Sequence, residues 1–485
     1  MSTAVRSSTR RWWALAVLAL TELVVVLDTT IVTIALPQAQ LEIGLTDVQR
    51  QWIVTAYALA FGSLLLLGGR IADYWGRKRT FMVGMVGFGI ASAWGGLAQS
   101  GVELIVARGI QGAFAAMLAP AALAMVTVMF THGKERNLAF AIFGTVAGTG
   151  AAIGLVLGGV LTEFASWRWC LLVNVVFVII GLIGGALLLT ESKAEGNNRY
   201  DVWGAITVTF GLAALVYGFT LAEHGWGSVD TIGFLALGAG LLALFILIES
   251  KIAQPLLPLR VILDSVRGGA FLIQAVVGAI MIGSMLYLTF HFQIVLGMSP
   301  FISGLANVGM TVVIFLCSPF VTKALNRFGP RPLMILGPLF CAAGLFWFVG
   351  ITPDGDYFTQ VLPGLVLLGI GLAQLFVPLQ NLALIGVEAE DAGVASATVN
   401  SAFHIGGSIG LAIFTAIYAS AVTGSLDGGA DQFTAFTEGY VAAFVASGIA
   451  MILASVIAFF LIRGKKDDLM PSWDEEDAAD SYARQ

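Results

Sequence analysis

Runs of about twenty apolar residues recur along almost the whole of this chain, each long enough to cross a hydrocarbon layer about 30 Å thick as a helix. That recurrence restricts the fold more than any other feature. Inside lipid no water satisfies the backbone, so a spanning segment must be helical or belong to a closed barrel. A barrel would show short alternating segments, and these runs are continuous. Only 11% of the 485 residues are charged and 58% are hydrophobic, against about 25% charged in soluble domains. Reading apolar runs against polar breaks gives fourteen spans, near 12–36, 51–69, 80–99, 102–131, 138–161, 168–190, 202–221, 229–249, 269–293, 301–322, 332–351, 357–385, 394–421 and 438–462. The expected class is an all-α polytopic membrane protein.

Loop charges test that count independently, because Lys and Arg collect on the cytoplasmic side. With the N-terminus inside, every second loop carries the basic residues, and of 24 Lys and Arg only Arg50, Arg108 and Arg168 fall elsewhere. One missed span would scramble the pattern, so both termini are expected in the cytoplasm and the protein in the plasma membrane. The apolar run after Arg6, Arg10 and Arg11 is too long for a signal-peptide core and is read as the first span. The polar breaks suggest a cytoplasmic N-terminus (1–11), a six-helix bundle (12–190), two inserted helices with their loops (191–267), a second six-helix bundle (268–463) and an acidic tail (464–485). Asp73-x-x-Gly76-x-Lys78 after the second span echoes Asn326-x-x-Gly329-x-Arg331 after the tenth, as expected of two related halves. Paired bundles around a midplane site are the plan of many secondary transporters.

Glu22 and Asp28 lie well inside the first span, where a charge costs about 2.5–3.5 kcal/mol on insertion scales and marks function by default. Such a carboxylate holds either a proton or a cation, which is the minimum requirement for exchange. Arg108 enters the fourth span to about 9 Å and Asp28 lies about 12 Å below the same surface, so the two match in depth. Gln111 shares the helix face of Arg108. The proton and cation coupling candidates are therefore Asp28, Glu22 and Arg108, and the cavity candidates Gln111, His291, Gln293, Gln374, Gln380, Asn381, Asn400 and His404. The turn holding Gly69, Asp73, Gly76, Arg77 and Lys78 reads from composition as a topological anchor. Gly150, Gly154, Gly158 and Gly159 in the fifth span form a ridge suited to close helix approach or bending. Cys170, Cys317 and Cys341 have neither disulfide nor metal spacing and read as packing residues.

Several stretches together resemble the fourteen-span drug/proton antiporters of the major facilitator superfamily, the EmrB/QacA type. Leu27 to Pro37 is similar to that family's first-span motif, Gly69 to Arg79 to its signature between spans two and three, Arg108 to Gly112 to its fourth-span motif, and Gly150 to Leu161 to its fifth-span antiporter motif. The resemblance implies the major facilitator fold: two six-helix bundles plus two extra central helices, rocking in alternating access. It implies Asp28 as the proton and cation site with Arg108 coupled to it, Asp73 and Arg77 as a cytoplasmic latch, and the glycine helix as a hinge. Two positions depart from the pattern, Leu155 where proline is usual and Thr33 where asparagine is usual.

Proton-coupled efflux of lipophilic, cationic compounds is therefore expected. The partners are a small substrate, protons and the bilayer, with no nucleic acid, no cofactor beyond the proton gradient, no metal, and a monomeric state. Export of a lipid, antibiotic or endogenous metabolite, or proton-coupled import, would use the same fold. A non-transporting scaffold would have no reason to bear buried Glu22, Asp28 and Arg108. No plausible nucleophile or phosphate loop suggests an enzyme.

Overall fold

The computed structural model describes residues 2–130, 133–193, 201–222, 225–252, 255–385, 387, 392–464 and 469. The basic residues Arg199, Lys465, Lys466 and Arg484 and the acidic tail from Asp474 lie outside them. Among the described residues fourteen helices are long and apolar enough to cross a membrane. They are α1 (Ser2–Ile43), α2 (Asp47–Trp75), α3 (Arg77–Leu97), α4 (Gly101–Met129), α5 (Gly133–Phe164), α6 (Trp169–Leu188), α7 (Val202–Leu221) and α8 (Val229–Glu249). There follow α9 (Ser265–Phe290), α10 (Pro300–Phe328), α11 (Pro330–Trp347), α12 (Leu362–Leu384), α13 (Ala392–Asp427) and α14 (Gln432–Leu461). An even number of crossings puts the start of α1 and the end of α14 on one face, here called proximal; the opposite face is distal.

Helix starts follow local chemistry. Thr46 and Gln49 form a reciprocal capping box on α2, and Ser100, Ser228, Ser299, Asp264 and Asp431 cap α4, α8, α10, α9 and α14, satisfying amide donors that have no partner within the helix. The stretch from Gly69 to Arg79, expected as a tight turn with glycines at both corners, is helical except at one residue. Helix α2 continues to Trp75 and α3 begins at Arg77, leaving Gly76 alone, at φ +126°, as the joint. Gly76 also admits the carboxylate of Glu191, which accepts the amides of Lys78 and Arg79 at 3.1 and 3.2 Å and caps α3 from beyond α6. The second half repeats the joint: Gly329, at φ +78°, is the single residue between α10 and α11. The sequence echo is thus a repeated one-residue corner that only glycine adopts readily.

Helices α1 to α6 pack on one another, as do α9 to α14, while α7 and α8 pair and α7 rests on both α2 and α13. Gln51 of α2 donates to the Thr220 hydroxyl of α7 at 3.3 Å. The two bundles share one apolar core in the distal half, where Leu27, Ile31, Ala35, Leu104 and Leu171 join Leu286, Phe290 and Tyr418. In the proximal half the core divides: Leu18, Leu65, Phe81 and Val126 form one cluster, while Val261, Phe271, Ala383 and Val399 form another. Gln293 donates to the Ile34 carbonyl at 3.0 Å, and the Phe301 amide donates to Glu163 at 2.9 Å, both across the distal seam. Gly304 lies so close to the Leu155 carbonyl of α5 that an added Cβ would be 2.4 Å from it. The protein is therefore closed distally.

Close helix approach makes a testable demand. A Cβ on Gly68 would fall 2.0 Å from the Ala116 carbonyl, whereas one on Gly240 meets nothing within 4 Å. Gly68→Val should destabilise by about 1–3 kcal/mol or more through overpacking and Gly240→Val should be near neutral, measured as thermal unfolding of the purified protein.

Candidate functional site

Asp28 of α1 has no exposed surface, and its carboxylate is held from two other helices. Arg108 of α4 forms a salt bridge to Oδ2 through Nη1. Oδ1 accepts from Gln111 of α4 at 2.7 Å and from Asn174 of α6 at 2.6 Å. Gln111 also donates to Ser92 of α3 at 2.8 Å and accepts from Arg108 at 2.6 Å. On the other side of Arg108, Nε donates to the Ile53 carbonyl at 3.4 Å, and the guanidinium lies 4.3 Å from the centroid of Tyr57. The Tyr57 hydroxyl donates to the Val25 carbonyl, closing the ring of contacts back to α1. Five helices therefore meet at one ion pair. Burial costs several kcal/mol per ion, and only a pair with its remaining hydrogen bonds satisfied offsets it; Asn174, Gln111 and Tyr57 supply that satisfaction.

Sequence reading brought Asp28, Arg108 and Gln111 together but missed Asn174, Ser92 and Tyr57. Asn174 had a signal, being an amide in the middle of the apolar sixth span. Gln111, expected at the cavity, is fully buried in this conformation and bonds both members of the ion pair and Ser92. Glu22 does not join the pair. Six residues along α1 rotate it to another face, where it is partly exposed and makes no hydrogen bond or ion pair among the described residues.

The remaining candidates separate by depth. Gln380 and Asn381 of α12 and Asn400 of α13 are exposed in the proximal half. His404 lies edge-on to Phe61 of α2, with ring centroids 4.5 Å apart, at the contact between the bundles. Three others are buried or already bonded in this conformation. His291 is buried beside Tyr440, Gln293 is spent on the Ile34 carbonyl, and Gln374 turns back to its own helix at Ile370. Asp73 pairs with Arg77 at 2.8 Å within its own bundle, and Lys78 donates to the Leu189 carbonyl, so neither bridges the two bundles. Four glycines of α5 are filled by packing: Gly150, Gly154 and Gly158 face Val26, Thr30 and Ile31 of α1, and Gly159 faces Phe301 of α10. That helix runs unbroken from Gly133 to Phe164 in this conformation. Among the described residues no group of three or more His, Cys, Asp or Glu is placed to hold a metal. An open apolar groove lies between α2, α7 and α8, lined by Trp52, Phe210, Tyr217 and Phe234.

A family model described as Major Facilitator Superfamily matches residues 18–411. The chain belongs to that superfamily. Among curated relatives, this superfamily member is 40% identical over 465 residues to the puromycin resistance protein pur8 of Streptomyces alboniger, covering 94% of this chain and 92% of that one. It is 39% identical to the cephamycin export protein CmcT of Amycolatopsis lactamdurans, covering 80% and 81%. It is 34% identical to the tetracenomycin C resistance and export protein of Streptomyces glaucescens, covering 83% and 75%. A crystal structure of the peptide transporter POT with sulfate shares the fold, with a TM-score of 0.65 at 17% identity and coverage of 92% and 93%. The fourteen-helix major facilitator fold expected from the sequence is the one observed.

The ion pair should show the asymmetry of buried charges. Arg108→Gln alone should destabilise by about 3–5 kcal/mol by stranding Asp28, and adding Asp28→Asn should recover most of that loss. Detergent-induced unfolding of the two variants measures both.

Proposed function

We propose that this chain exports small lipophilic, cationic compounds of antibiotic type in exchange for protons. In this reading it is a monomer in the plasma membrane with both termini in the cytoplasm, has no enzymatic role and needs no cofactor beyond the proton gradient. The observation that carries the coupling is the wholly enclosed carboxylate of Asp28, held by Arg108, Gln111 and Asn174 from two other helices. Charged, Asp28 ties α1 to α4 and α6. Protonated, it loses the ionic attraction to Arg108 and needs fewer donors, so the hold between these helices weakens. The protonation state thereby sets how easily α1 shifts against α4. Because α1 packs on α5 and α10 packs on α5, a shift of α1 reaches the seam between the bundles.

Glu22 takes a different role in this proposal. A partly exposed carboxylate in mid-span with no described partner is available to a cationic cargo entering from the proximal side, past Gln380, Asn381 and Asn400. The antibiotic character of the cargo rests on the relatives, which are named for resistance to puromycin and export of cephamycin and tetracenomycin C. One proton entering for one monovalent cation leaving moves no net charge, so the membrane potential cancels and the pH gradient drives the exchange, at about 1.4 kcal/mol per pH unit.

Vesicles containing the purified protein test this reading, with a pH-sensitive dye inside and ethidium-like cations added. Wild type should move protons when the cation is added, and Asp28→Asn should fall to the protein-free background. Glu22→Gln should keep proton movement but weaken the apparent affinity for the cation roughly tenfold, or about 1.4 kcal/mol. If no cation moves protons and Asp28→Asn matches wild type, proton antiport is wrong.

A further inference from the structure

Arg50 stands on the second turn of α2 at the distal end, three residues after Asp47, and is 3% exposed. Its own bundle gives it an ion pair to Asp47 at 3.1 Å and a hydrogen bond to Gln40 at 3.4 Å. Its other neighbours belong to the C-terminal bundle. The guanidinium lies 4.1 Å from the ring centroid of Phe290 on α9 and 5.6 Å from that of Tyr418 on α13. Tyr418 stacks on Tyr440 of α14 at 5.1 Å and on Tyr287 of α9 at 5.9 Å, and the Tyr287 hydroxyl meets Thr415 at 3.0 Å. These stacking contacts lie within the C-terminal bundle and do not involve Arg50.

We propose that Arg50 is the distal gate residue of the transport cycle, seated in the Phe290–Tyr418 cage while that face is closed and withdrawn from it when the bundles part. Three observations converge. A guanidinium stays charged, so one buried between two bodies needs compensation, and the aromatic faces give it. Nε of Arg50 has no hydrogen-bond partner; a permanent interface would be served better by an apolar side chain, whereas one that opens regains hydration there. Asp47 is 42% exposed and rides on α2 with Arg50, so the ion pair survives opening and only the aromatic contact is exchanged for water. Two further distal bonds among the described residues, Gln293 to the Ile34 carbonyl and the Phe301 amide to Glu163, do not carry a cation across the seam.

The inference concerns the resting conformation and stands apart from proton coupling, so its test uses neither substrate nor gradient. Spin labels at Leu41→Cys, on the distal end of α1, and Phe358→Cys, at the distal start of the twelfth span, report the distal separation in a Cys317→Ala background. Both label sites are exposed, and the native Cys170 and Cys341 are buried. Wild type should give one short distance. Arg50→Gln, and separately Phe290→Leu, which keeps the charge, should each move roughly half of the molecules or more to a longer distance. The double variant should shift no further than the larger single one, because both remove the same contact. Samples are compared as monodisperse protein of unchanged helicity. No shift, a shift in only one single variant, or shifts that add in the double variant would overturn the proposal.

Discussion

The N-terminal bundle depends on a charge that has no access to water. Asp28 and Arg108 are each costly where they lie, and neither would be tolerated without the other. Their pairing dictates much of the surroundings: an amide on α6, an amide and a hydroxyl shared between α4 and α3, and the ring of Tyr57 over the guanidinium. A side chain that must satisfy a neighbour has little freedom, so a single ion pair makes five helices interdependent. A change at the carboxylate is therefore felt as a change in how those helices hold together, without any need for a dedicated path of residues.

The architecture was readable in the sequence to an unusual degree, because lipid removes alternatives. Backbone satisfaction leaves only helices for runs of this length, and the charge rule checks their parity. The ion pair was readable too, since depth along a helix follows from residue count. Rotation was less readable. Glu22 and Asp28 sit on the same helix at compatible depths, yet the angle between them sends one into the pair and leaves the other partly exposed. His291 is buried beside Tyr440 and Gln374 bonds its own helix for a related reason, because a lone polar side chain in an apolar helix can turn inward or back onto its own backbone. Asn174 was passed over because an uncharged amide inside an apolar run does not stand out beside a carboxylate.

Arg50 shows the opposite limit. It was one of three basic residues outside the regular loop pattern, and its place beside the span boundary suggested nothing more. What gives it meaning is a set of rings contributed by Phe290, Tyr418, Tyr440 and Tyr287, all more than two hundred positions later in the chain. Long-range juxtaposition of that kind follows from how the bundles meet, which no local spacing encodes.

The one-residue corners at Gly76 and Gly329 have a mechanical consequence. Helices of 29 residues run into the next helix with a single amino acid between them, so there is no slack at these elbows to soak up movement. Each pair behaves as a stiff bracket, and displacement begun at one end of the bracket is handed on to the other. The compliance the molecule needs must then lie along the sliding faces between helices, where smooth glycine surfaces on α5 run against α1 and α10.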